Sequence, residues 1–123
     1  MVLVDTSVWV RFVAGRHPFV RDLRTLLEDE EVVGHELVYG ELLIGDGHGR
    51  ARLLADYERM LCVPRIAHQE VVAFVRSRRL SGRGIGWIDA HLVASTIVAG
   101  GRLWTADARL HGIATELGVA HPS

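Results

Sequence analysis

Apolar positions along the chain fall into two alternating rhythms. Short unbroken runs read as buried strands, and i, i+3/i+4 recurrences read as helices. Val2-Leu3-Val4 is the first run. Val8, Trp9, Phe12 and Val13 then recur at helical spacing up to Gly15, and Pro18 suits the first position of a second helix striped by Val20, Leu23 and Leu27. Val32-Val33 is a second strand, followed by a helix carrying Leu37, Val38, Leu42 and Leu43 and ended by Gly45. A loop is expected at Gly45-Asp46-Gly47-His48-Gly49 and a helix from Arg50 to Arg59, with Leu53, Leu54 and Tyr57 inward. Met60-Leu61-Cys62-Val63 reads as a third strand stopped by Pro64, and Gln69 to Leu80 as a helix with Val71, Val72 and Val75 inward. After the glycine loop Gly82-Arg83-Gly84-Ile85-Gly86, Ile88 to Ala99 is helical and apolar nearly all round, which marks a central buried helix ended by Gly100-Gly101. Leu103-Trp104 is a fourth strand, Leu110, Ile113, Ala114 and Leu117 define a last helix, and Val119-Ala120 is a very short fifth strand. This alternation predicts an α/β fold with a parallel central sheet, and it uses up residues 1–123 in a single domain.

Composition narrows the chemistry. Hydrophobic residues make up 49% and charged residues 24%, an ordinary globular balance, and the formal charge is −1. Net charge therefore draws in no polyanion, and any nucleic-acid binding must come from local patches. Cys62 is the only cysteine, which excludes an internal disulfide and a cysteine zinc site; it reads as a small apolar strand residue. All 14 basic residues are arginine. A P-loop lysine, a Schiff-base lysine and the lysine of a receiver domain are thereby excluded. No apolar run approaches the ~20 residues of a membrane span. The start, Met1-Val2-Leu3-Val4-Asp5, lacks the basic flank of a signal peptide, so a cytoplasmic protein is expected.

Four acids stand out against that background. Asp5 directly follows the first strand; it is either a helix cap or a ligand at the carboxyl edge of the sheet, where α/β folds bind. Glu41 shares a helical face with Leu37 and lies beside Leu42, so it is either a solvated edge or a compensated carboxylate. Asp89 opens the most apolar helix and Asp107 the last one, and either suits a cap or first-turn acid. Asp5 and Asp107 follow predicted strands and Asp89 opens a helix that feeds the Leu103-Trp104 strand, positions that can converge on one edge of a doubly wound sheet. Carboxylates sharing a pocket repel one another, and a divalent cation removes the repulsion. All-oxygen ligation suits Mg²⁺ or Mn²⁺, whose chemistry is phosphodiester hydrolysis.

Val2-Leu3-Val4-Asp5-Thr6-Ser7, Gly40-Glu41-Leu42, Ile88-Asp89-Ala90 and Trp104-Thr105-Ala106-Asp107, in that order over essentially the whole chain, resemble a PIN-domain protein. More narrowly, they resemble the toxin of a VapBC-type toxin–antitoxin pair. The resemblance implies a three-layer α/β/α sandwich and a Mg²⁺- or Mn²⁺-dependent endoribonuclease acting on RNA. It implies that Asp5, Glu41, Asp89 and Asp107 form the metal-binding catalytic quartet, Asp107 partly through water. Thr6 or Ser7, and Thr105, match supporting hydroxyls. It further implies a homodimer and a cognate antitoxin whose C-terminal segment covers the acidic pocket. A housekeeping RNA-processing nuclease and a non-catalytic PIN-fold binding protein are the alternatives.

Other residues carry weaker signals. Arg76, Arg78, Arg79 and Arg83 lead into the loop before Asp89 and could grip RNA phosphates; alternatively Arg76, Arg78 and Arg79 complement a helix C-terminus. Trp9, Trp87 and Trp104 read as core or pocket wall, with base stacking an option for Trp87. His68, His91 and His111 lack a metal-binding helical spacing and read as ordinary core or surface residues.

Overall fold

Three apolar runs become the sheet. In the computed structural model, which describes residues 1–46 and 49–122, β1 (Val2–Val4) lies between β2 (Val32–Val33) and β3 (Arg102–Trp104), and both pairings are parallel. Val2 is in register with Val32 and Arg102, and Leu3 with Val33 and Leu103. Single parallel bridges, Gly34 to Cys62 and Leu103 to Ala120, continue the sheet at its two edges.

Among the described residues, seven helices cover it: α1 (Thr6–Val13), α2 (Phe19–Glu28), α3 (Glu36–Asp46), α4 (Ala51–Tyr57), α5 (His68–Ser77), α6 (Trp87–Ala99) and α7 (Ala108–Glu116). From β1 through β2 to Cys62 the chain steps toward one edge; it then crosses back over β1 to β3 and on to Ala120. Right-handed crossovers send the helices of opposite steps to opposite faces. Accordingly α1 packs on α2 and α3, and α3 on α4, whereas α5 packs on α6, and α6 and α7 lie on β3. The result is a three-layer α/β/α sandwich with a parallel central sheet.

Both faces of the sheet are buried, so β1 and β3 need no polar alternation. Trp9, Leu23, Val38, Leu92, Trp104 and Leu110 share the main core with the strands. The unbroken burial of Ala90 to Thr96 makes α6 the central helix its composition predicts. Gly100 ends it in a left-handed conformation, φ 74°, which glycine adopts without a Cβ clash.

Several boundaries differ from the periodic reading. Gly45 does not end α3, which continues to Asp46; of the expected loop at 45–49, Gly47 and His48 lie outside the described residues. Pro18 precedes α2 as its N-cap rather than opening it. Met60–Val63 and Val119–Ala120 are not strands but single bridges. Leu61 is 80% exposed, so the apolar run there is not a buried one. Cys62 is likewise exposed, not an interior residue. Gly34 leaves little room at this edge, since a Cβ on it would stand 2.9 Å from the Cys62 sulfur and 3.1 Å from the Tyr57 ring, so a side chain there would have to displace one or both.

One polar network is sealed inside the sandwich. The His35 ring is fully buried; its Nδ1 accepts from the Leu37 amide at 3.1 Å, so its Nε2 carries the proton toward Ser95 Oγ at 3.0 Å. The Tyr57 hydroxyl accepts from the His35 amide at 2.9 Å and donates to the His35 carbonyl at 3.3 Å. Burial pulls the His35 pKa down to about 4, helped by His91 and Arg65 and opposed by Glu36. The unfolded chain thus takes up a proton on His35 near pH 6.5, well before the folded chain does, and stability is lost as pH falls toward 4. By denaturant titration, the stability advantage of the wild type over His35→Gln should shrink by about 3 kcal/mol between pH 7 and pH 4. A difference that does not change with pH would contradict this account of His35.

Candidate active site

β1 and β3 are neighbours whose following segments leave in opposite directions, which is where an open α/β sheet forms its binding crevice. Asp5 stands at the end of β1, its amide donating to the Trp104 carbonyl at 2.9 Å. Thr105 and Asp107 stand just beyond β3. Asp5 occupies the N-cap position of α1 but makes no capping bond with its side chain. Its carboxylate is 5% exposed, and Oδ2 accepts instead from Ser7 Oγ at 2.7 Å and from Thr105 Oγ1 at 2.8 Å. Each hydroxyl has a single proton, so the 3.3 Å approach of Ser7 Oγ to Thr105 Oγ1 is a contact without a hydrogen bond. The two hydroxyls in turn accept from backbone: Ser7 Oγ from the Ala106 amide at 3.0 Å, Thr105 Oγ1 from the Asp107 amide at 3.0 Å.

The other acids are held in the same one-sided way. Glu41, half-buried on α3, takes a 2.7 Å hydrogen bond on Oε1 from Thr6 Oγ1. Asp89, in the first turn of α6, accepts from the Gly86 amide on Oδ2 at 3.0 Å. Asp107 is the N-cap of α7, its Oδ1 accepting from the amides of Arg109 and Leu110 at 2.9 and 3.0 Å. Capping and membership of the acidic group are therefore compatible for Asp89 and Asp107. Among the described residues, the second oxygen of each carboxylate accepts no hydrogen bond from protein, and none of the four acids forms an ion pair.

Their fields meet at Asp89. Burial raises its pKa most, the Gly86 amide opposes this, and the charges of Asp5, Glu41 and Asp107 raise it further. The donor set fits a hard divalent cation: four carboxylates, each with one oxygen anchored and one free, and no arginine neutralising them. As placed, no three His, Cys, Asp or Glu side chains among the described residues stand close enough to hold a metal, so a cation would have to draw the free oxygens inward.

The basic stretch behaves differently from the acids. Arg76 lies in the last turn of α5 and Arg78 at its C-cap, where positive charge complements the helix terminus; Arg79 follows with φ 55°. Arg83 is bound to Glu116 on α7 at 2.7 Å, so part of its charge is already spent. Trp9 and Trp104 are core residues, whereas Trp87 is 43% exposed, with His68 and His91 beside it at ring-centroid distances of 5.3 and 5.1 Å. Of two residues near the acids, Arg11, whose Nη1 donates to the Ser7 carbonyl at 2.9 Å, escaped the sequence reading, and His111 reads there as an ordinary core or surface residue. The signal was spacing, because each lies one helical turn after a site residue, Ser7 and Asp107 respectively.

A parallel three-layer sandwich with four acids at its switch point describes a family as well as a site. The PIN-domain family model matches residues 2–116, and the chain belongs to that family. Within it, the chain is 42% identical over 123 residues to ribonuclease VapC32 of Mycobacterium tuberculosis, the alignment taking in 98% of this chain and 95% of the relative. The same figures hold for strain CDC 1551 / Oshkosh and for strain ATCC 25618 / H37Rv.

Because burial and the neighbouring acids disfavour the Asp89 charge, Asp89→Asn should raise Tm by a few degrees at neutral pH in chelator, keeping the bond from Gly86. The gain should narrow as pH falls and wild-type Asp89 becomes protonated. A variant less stable than wild type under both conditions would show that the acids do not repel one another.

Proposed function

We propose that this protein is a divalent-cation-dependent endoribonuclease, and that it acts as the toxin of a type II toxin–antitoxin pair. The observation that carries the reading is the one-sided anchoring of Asp5, Glu41, Asp89 and Asp107. Each keeps a free oxygen, and no protein cation among the described residues offsets the group. Membership of the PIN family and similarity to a named ribonuclease support it. Bound by these acids, Mg²⁺ or Mn²⁺ would neutralise them, polarise a phosphodiester and make water a better nucleophile near neutral pH.

The chain's own residues set the geometry. Ser7 and Thr105 hold Asp5 from one side, so its free oxygen has a fixed direction. Thr6 does the same for Glu41. Asp89 must be ionised to take part, and burial and the neighbouring acids raise its pKa in the cation-free protein, so protons compete with the cation for it. Asp107 is exposed and suits a role through water. Arg76, Arg79 and Arg83 are the proposed grip on flanking phosphates, Arg83 in competition with Glu116. The reading extends to a homodimer and to a cognate antitoxin whose C-terminal segment covers the acids. Ile44 and Val98, 88% and 72% exposed, are apolar surface that such partners would cover.

The test is purified protein on total cellular RNA with Mg²⁺, Mn²⁺ or chelator, the new 5′ ends mapped by sequencing. Discrete cuts that require the cation are expected, reduced at least about a hundredfold in Asp5→Asn and Asp89→Asn and about tenfold in Thr6→Val. Cuts that persist in chelator or in Asp5→Asn would remove the quartet from the mechanism. The absence of cuts in antitoxin-free, folded protein would favour a non-catalytic binding role.

A further inference from the structure

Beside the acids, between the start of α2 and the start of α7, opens a cavity of about 400 Å³. Thr105 and Asp107 belong to its lining, so it is continuous with the candidate active site. Phe19 lines it on one side, its ring stacked at 6.1 Å and 22° on the buried Trp104 behind. The Arg11 guanidinium lies over the Phe19 ring, 5.8 Å from its centroid, and one of its nitrogens is tied to the Ser7 carbonyl. It is thereby held in place by cation–π attraction and a backbone bond, with further N–H donors to spare.

Two features of this cavity point to an absent ligand. Arg11 makes no ion pair among the described residues, although Asp107 and Asp22 line the same space; Asp22 is engaged by Arg21 at 3.1 Å. His111 lines the cavity, and its Nδ1 is buried with no hydrogen-bond partner among the described residues. A guanidinium with free donors suits a phosphate, the Phe19 side of the cavity offers apolar contact to a base or ribose, and the volume lies within the range of small-molecule sites, roughly 300–1,000 Å³.

We propose that this cavity is the subsite for the nucleotide adjoining the scissile phosphate, with Arg11 on that nucleotide's phosphate and His111 on its ribose or base. The proposal rests on the nuclease reading for its biological meaning, but its binding chemistry stands apart from cleavage. It sets Arg11, rather than the α5 arginines, as the cation nearest the reacting strand.

The experiment is NMR of the His111 imidazole in the full chain with Mg²⁺, its resonance assigned with His111→Gln. Titrants are the four ribonucleoside 5′-monophosphates, which contain no phosphodiester to cut, together with inorganic phosphate and acetate. Saturable shifts with at least one ribonucleotide are expected, with affinity about tenfold weaker in Arg11→Gln and partly restored in Arg11→Lys. Should Arg11→Gln lose its fold, Arg11→Lys serves alone, because losing the planar fork should still weaken binding several-fold. No shift in the wild type, or affinity indifferent to either Arg11 variant, overturns the proposal. Equal shifts with phosphate or acetate also overturn it, and would mark a simple anion site or a seat for a partner's carboxylate. Failure of the nuclease reading shows separately, as uncut total RNA.

Discussion

A carboxylate buried at the end of the central strand is the constraint around which the functional edge is arranged. Removing such a charge from water costs several kcal/mol unless hydrogen bonds replace the lost hydration. Asp5 obtains them from Ser7, the second residue of α1, and from Thr105, just past β3. Those hydroxyls are themselves fixed by the amides of Ala106 and Asp107. One carboxylate thus locks the exits of two neighbouring strands together. The same bonds orient Asp5 toward the crevice and leave its other oxygen unused.

The arrangement sets local stability against function. Four acids without an ion pair among the described residues destabilise one another, and Asp89, half-buried and facing the other three, carries the penalty most visibly. The fold tolerates this because its core does not depend on the crevice: Leu3, Leu92, Leu103 and Trp104 are buried behind it. His35 titrates in the opposite sense, since acid removes stability through His35 while it relieves the repulsion at Asp89.

What was legible in the sequence follows from where the information lies. β1, β3 and α6 are specified by local apolar runs, and each forms where its pattern predicts. The edges are not: Met60–Val63 has a strand's composition, yet its pairing depends on a single contact with Gly34. Gly45 looks like a helix stop, but α3 continues through it to Asp46. Asp5, Thr6 and Ser7 are three cap candidates in a row, and only three-dimensional placement shows that Asp5 faces Thr105, 100 residues away, rather than the helix amides. His35 left no local trace because Tyr57 and Ser95 lie 22 and 60 residues further along the chain. Arg83 read as a candidate grip on RNA phosphates, and nothing local in the sequence shows that α7 brings Glu116 beside it.

The central claim is that Asp5, Glu41, Asp89 and Asp107 are anchored so that a divalent cation completes them. The most direct measurement is thermal unfolding as a function of Mg²⁺ and Mn²⁺ concentration, starting from chelator-treated protein. A ligand bound only by the folded state raises Tm progressively with its concentration. The account predicts such a rise for the wild type, with Asp5→Asn and Asp89→Asn flattening it. A wild-type Tm indifferent to either cation, or a rise that survives both substitutions, would contradict it.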